Sequence, residues 1–265
     1  MKHIWTIVEK EWAEVFQHKM VLFTMIFIPL IFVALPVATL LFTGQSMGGE
    51  MAGDFSDLPS EFLSVCGPDM TQDDCMQVYL INMYLLMFMM LPVIIPVTIA
   101  AYSVVGEKTA RSLEPLLATP ISTFELLAGK SLAAAIPAII AGWVSFGLFL
   151  IILPLIGVSS AVIRYIISPT WILAVLVAGP LMAIAAVNFA LFVSSRVNDP
   201  RVAEQISVFL IIPILAALFA QLAGLIVIDL FIMLSFISGL VLVDIGMIYL
   251  GVSIFQRESI LTRWK

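Results

Sequence analysis

Charge, histidine and cysteine are all scarce in this sequence, and each scarcity removes a class of protein. Charged residues make up 11% of the chain against 62% hydrophobic, whereas a soluble globular domain carries about 25% charged residues. Both histidines, His3 and His18, precede the first long apolar run. No span therefore offers the histidine base of a serine protease or a His-Glu-x-x-His zinc site, which argues against an intramembrane enzyme. The only two cysteines, Cys66 and Cys75, form a Cys-x8-Cys pair that is not a metal signature, and no metal site is expected. Gly129-Lys130-Ser131 mimics the end of a phosphate loop, but the pattern needs a glycine where this chain has Phe124. The chain is thus expected to bind neither ATP nor any other cofactor by itself, and nothing in it suggests a nucleic-acid partner.

What the sequence has in abundance is long apolar runs. A helix needs about 20 apolar residues to cross a hydrocarbon core of about 30 Å. Six stretches qualify: Met20 to Thr43, Val78 to Val105, Ser131 to Leu153, Trp171 to Val193, Ile206 to Ile228 and Leu230 to Ile254. The expected fold is an all-α membrane protein embedded in the lipid bilayer, with residues 20–254 as one six-helix domain. Asp229 is the one turn signal between the last two runs, so a re-entrant hairpin is an alternative for part of residues 206–254. Ahead of the domain, residues 1–19 place Ile4, Trp5, Val8, Trp12 and Val15 near helical spacing beside a mixed-charge polar face. Such a segment is expected to lie in the headgroup plane. Residues 255–265 form a short polar tail.

The distribution of charge orients the chain. Residues 44–77 hold seven acids and no base, and without them the net charge of −6 would be +1. Six spans put the amino terminus, residues 106–130, the Ser194 to Gln205 loop and the tail on one side. That side carries every lysine and arginine except Arg164, so the positive-inside rule assigns it to the cytosol, with both termini inside a cytoplasmic membrane. Cys66 and Cys75 then lie outside, where they can close a small ring stabilised by about 2 to 3 kcal/mol; two free thiols are the alternative.

Residues 106–130 are a polar island between apolar runs, with Glu107, Lys108, Arg111, Glu114, Glu125 and Lys130. Ser112 can cap a short helix that tolerates Pro115, presenting Leu113, Leu116 and Leu117 as an apolar knob among charges. Thr119-Pro120 stops it, and Ser122-Thr-Phe-Glu125 is a capping box that restarts the chain as the third span. A solvated connecting loop is the alternative to a docking helix. The run from Glu107-Lys108 through Leu113-Glu114-x-Leu116-Leu117-Ala118-Thr119-Pro120 to Gly129-Lys130 resembles the signature of ABC type-2 exporter permeases. So does Lys10-Glu11-Trp12-x-Glu14 ahead of the first span. The family's Gly-Thr is replaced here by Arg111-Ser112, and Pro115 is a further departure.

The resemblance implies that the island is a coupling helix seated in a separate ATPase subunit, which binds ATP and Mg. It also implies a dimer with a second permease copy or paralogue. The interface would use Glu107, Lys108, Arg111, Leu113, Glu114, Leu116 and Leu117, with Arg196 and Arg201 of the Ser194 to Gln205 loop as a second contact. On this reading the chain exports a substrate using a partner's ATP hydrolysis. A stand-alone secondary carrier or channel is the competing reading, but such proteins carry several intramembrane ionisable groups, inverted repeats or a filter. Only Asp244 is a carboxylate near the middle of a span, where it is expected to face the interior and bind a cationic group or tune gating; a packed, protonated side chain is the alternative. Pro92 and Pro96, which interrupt the second span, are expected to allow bending along the translocation path.

Overall fold

The structure is a computed structural model that describes residues 2–17, 19–46, 66, 70–109 and 122–254. Among these residues all regular structure is helical. Helix α1 (Lys2–Val15) precedes α2 (Lys19–Ser46); α3 (Gln72–Phe88) and α4 (Leu91–Thr109) follow, then α5 (Thr123–Leu155) and the short α6 (Ser160–Ile166). The chain continues through α7 (Pro169–Arg196), α8 (Pro200–Leu222) and α9 (Leu230–Ile254). Six stretches are long and apolar enough to cross a membrane: α2, α3 with α4, α5, α7, α8 and α9. The six-span expectation therefore holds, and the last two runs form two separate long helices instead of a re-entrant hairpin. Asp229 separates them as a helix cap, its Oδ1 accepting from the Ile232 N–H at 2.8 Å.

Helix ends follow local chemistry. Ser122 and Glu125 form the expected capping box, with the Glu125 N–H donating to the Ser122 hydroxyl and the Ser122 N–H to the Glu125 carboxylate, so α5 starts at Thr123. Thr71 and Asp74 do the same for α3. At the far ends of α5 and α8 the chain turns through Gly157 (φ 82°) and Gly224 (φ 67°). Each closes a Schellman motif, Val158 N–H to Leu153 carbonyl and Leu225 N–H to Ala220 carbonyl. Helix α6 has no counterpart in the apolar runs, because seven residues are too few to register as a span. Ser159 caps it.

The helices share two ends. At one, α1 packs along the start of α5, so this is the α1 end; at the other a disulfide joins Cys66 and Cys75 beside the start of α3. The second span is the most enclosed, with 78% of its apolar window buried against 11% for α9, and α4 packs chiefly on α7 and α5.

Irregular backbone gathers at mid-depth. Proline offers no N–H and its ring crowds the carbonyl four residues back. Pro92 accordingly separates α3 from α4 at Met89–Met90, while Pro96 sits within α4 without breaking it. In α7 the turn Ala174–Ala178 widens to a π-helix just ahead of Pro180. The Gly179 N–H reaches the Ala174 carbonyl, and the Trp143 indole Nε1 of α5 donates to the Val175 carbonyl at 3.0 Å. The indole thus satisfies an acceptor for which Pro180 has no proton. A void of about 30 Å³ lies between the two irregular stretches, lined by Met89, Pro92, Gly142, Val175, Gly179 and Pro180.

Candidate functional site

The first candidate lies at the α1 end and grows from one helical stripe. Ile7, Val8, Glu11 and Val15 of α1 are all buried, so a carboxylate occupies the middle of an otherwise apolar face. Gly129 of α5 makes this contact possible: a Cβ there would stand 2.8 Å from Ile7 Cβ, so only glycine lets the helices approach this closely. The Trp12 indole Nε1 fastens the helices further by donating to the Ala133 carbonyl at 2.9 Å.

Within the seam the Lys130 ammonium donates to Glu11 Oε1 at 2.7 Å and to the Ser103 hydroxyl oxygen at 2.9 Å. Ser103 donates to Glu11 Oε2 at 2.5 Å. The Glu11 and Lys130 side chains are only 3% and 4% exposed. A buried charge is costly unless paired and hydrogen-bonded, and here both conditions are met. Burial by itself raises the Glu11 carboxyl, but Lys130, Ser103 and Lys10 outweigh it and hold Glu11 below its ordinary value. Lys10 stands 3.5 Å from Glu11 and 3.3 Å from Glu14 at the exposed edge.

This triad joins α1, α4 and α5, and its last two members bracket the polar island. Ser103 stands ahead of the island's first residue, and Lys130 is its last. Two further bonds extend the polar belt: the Thr98 hydroxyl of α4 donates to Glu204 of α8 at 2.6 Å, and Ser131 of α5 to Asn188 Oδ1 of α7 at 3.2 Å.

Of the residues expected at the interface, Arg111, Leu113, Glu114, Leu116 and Leu117 lie outside the described residues, as do the cap Ser112 and Pro115. Glu107 and Lys108 belong to the last turn of α4. Arg196 and Arg201 are exposed at the same end. Arg196 lies 5.5 Å over the Phe192 ring, and Asp199 caps α8 by accepting from the Arg201 N–H at 2.8 Å. Sequence reading grouped these residues by side of the membrane but missed Glu11, Ser103 and Lys130 as a unit. The available signal was Glu11 on the apolar stripe of α1.

A second candidate lies deeper. Asp244 of α9 is buried, and both its carboxylate oxygens lack a hydrogen-bond partner. Toward the α1 end, α5, α7 and α9 enclose a mostly apolar cavity of about 340 Å³. Pro92 borders the mid-depth void, apart from this cavity. Among the described residues no cluster of three or more acidic, histidine or cysteine side chains could hold a metal.

Comparison with known proteins adds one positive result. A family model described as ABC-2 family transporter protein matches residues 5–262. No curated protein shows significant similarity to the chain.

Proposed function

This chain belongs to the ABC-2 transporter family, whose members are membrane components of ABC transporters, and from that premise we propose that it is an exporter permease driven by a separate ATPase subunit. The partner binds ATP and Mg and hydrolyses the nucleotide; this chain supplies the path across the cytoplasmic membrane and pairs with a second permease copy or paralogue. The α1 end faces the cytosol, because it collects the basic residues and because the Cys66–Cys75 disulfide at the opposite end suits an oxidising exterior.

One observation carries the reading: the buried Glu11–Ser103–Lys130 triad ties both flanks of residues 106–130 to a surface helix. A loop that merely connected two spans would gain nothing from having its flanks fixed by a buried ion pair. A segment that receives force needs such anchorage, since displacement then passes to α4 and α5 together. Glu107, Lys108, Arg111, Leu113, Glu114, Leu116 and Leu117 are the docking residues, with Arg196 and Arg201 as a secondary contact. The test is co-purification with its partner ATPase. Leu116→Asp and charge reversal at Glu107 or Arg111 are expected to release the ATPase while the permease stays folded in the membrane. Retention of the ATPase by all three variants would refute the assignment.

A further inference from the structure

We propose that the cavity between α5, α7 and α9, together with Asp244, binds a lipophilic organic cation. Asp244 is 5% exposed while its neighbours Val243 and Ile245 are 50% and 61% exposed. Of the side chains from Val241 to Leu250 only this carboxylate is buried. Both of its oxygens are without a hydrogen bond; of the helices on which α9 packs, α7 carries one charged residue, Arg196, at the far end over Phe192, and α5 carries Glu125, which caps its start, and Lys130, which is held by Glu11 and Ser103. A carboxylate in such surroundings is stable only when neutral or when it meets a cation that none of the described residues supplies.

The cavity supplies the rest of the site. Asp244, Met247, Ile248 and Gly251 recur at helical spacing on α9, and the last three line the cavity. Gly251 stands at the level of Leu127 Cδ1. Seven residues at about 1.5 Å each place Asp244 about 10 Å deeper along α9 than Gly251. Of the cavity-lining residues on α9, Met247 is nearest in sequence to Asp244, and an unbranched thioether can adapt to a ligand.

The lining selects the ligand class. A volume of about 340 Å³ falls in the range of small-molecule sites, roughly 300–1,000 Å³. Its polar contribution is the Ser131–Asn188 pair, already bonded to each other. Magnesium or calcium would need about six oxygen ligands, and the wall does not provide them. An ammonium or phosphonium with an apolar body matches both features. Phe124, Leu132 and Ile248 on the rim are exposed, which opens the site to the leaflet at the α1 end.

The proposal rests on the permease reading only in treating the bound cation as cargo. Its test is equilibrium binding of radiolabelled tetraphenylphosphonium to the full-length chain in lipid nanodiscs, without ATPase and with empty nanodiscs as background. Neutral triphenylphosphine oxide serves as the control ligand. Asp244→Asn is expected to weaken the cation by about tenfold or more and to leave the neutral compound unchanged, with Asp244→Glu restoring the cation. Ala135→Phe, which fills the cavity, is expected to weaken both. Binding no better than background, cation affinity indifferent to Asp244→Asn, or equal weakening of both ligands by that change would overturn the proposal. Because no ATPase is present, such a failure leaves the coupling assignment untouched, and failed co-purification leaves this one untouched.

Discussion

Replacing Lys130 by Met removes the ammonium while keeping an unbranched apolar stem, and it leaves Glu11 almost fully enclosed. Removing one partner of a buried pair costs about 3 to 5 kcal/mol, because the other charge is stranded. Glu11 would retain the Ser103 hydroxyl at 2.5 Å and Lys10 at 3.5 Å. That residual support puts the expected loss at the lower bound, about 3 kcal/mol. Replacing both partners by apolar residues is often close to neutral. Glu11→Leu combined with Lys130→Met should therefore recover most of the loss, so the cycle should report a coupling of at least about 2 kcal/mol. The measurement is reversible unfolding of the four proteins in lipid nanodiscs, followed by tryptophan fluorescence. A single-variant loss below about 1 kcal/mol, the value of an exposed pair, would refute the claim that the triad is a buried anchor. Simple additivity in the double variant would refute it equally.

Three shorter predictions follow from the same geometry. Gly129→Ala places a methyl 2.8 Å from Ile7 Cβ and should cost about 1 to 3 kcal/mol by overpacking; unchanged stability would show that α1 does not seat there. Reducing the Cys66–Cys75 bond, which closes a short ring between residues nine apart, should lower stability by about 2 to 3 kcal/mol, and maleimide labelling before reduction should find no thiol. The Glu11 carboxyl is held below its ordinary value near 4.5, so its contribution is fully present above that pH and is lost as pH falls through the lower folded value. Stability of the Glu11–Lys130 pair should accordingly be flat from about pH 8 to pH 5 and decline only below about 4.5, a decline absent from the Glu11→Leu, Lys130→Met double variant.

The spans were legible because hydrocarbon imposes a minimum length that composition reveals directly. Caps such as Ser122 with Glu125 were legible because the motif is local. The triad was not, because Glu11 and Lys130 lie 119 residues apart and each alone reads as a surface charge near a membrane. Asp244 was legible as a charge in the wrong solvent, but its cavity required three helices to be placed around it. An interruption of the second span at Pro92 and Pro96 was anticipated, yet only Pro92 separates the helices, and the break falls ahead of it at Met89–Met90. The π-turn ahead of Pro180 had no reading at all, since its carbonyl partner comes from Trp143 on another helix.

The two ends and the middle of the bundle differ in stiffness, and that difference yields a final prediction. At the α1 end, α1, α4 and α5 are held by charged bonds of 2.5 to 2.9 Å, so displacement of the island should move them as one body. At mid-depth the second span breaks at Met89–Met90, α7 widens at Ala174–Ala178, and a void of about 30 Å³ separates them. Breaks and π-turns are where helices bend, because fewer backbone bonds oppose the change there. Motion delivered at one end should therefore be absorbed at this layer. Spin labels on α1 and α5 near Lys130 should keep their separation when the assembled transporter binds ATP, whereas labels on α3 and α7 across the void should not. Trp143→Phe, which strands the Val175 carbonyl, should broaden the second distance distribution without altering the first. Broadening confined to the α1 pair would mean that the triad is the joint and the proline layer the fixed part.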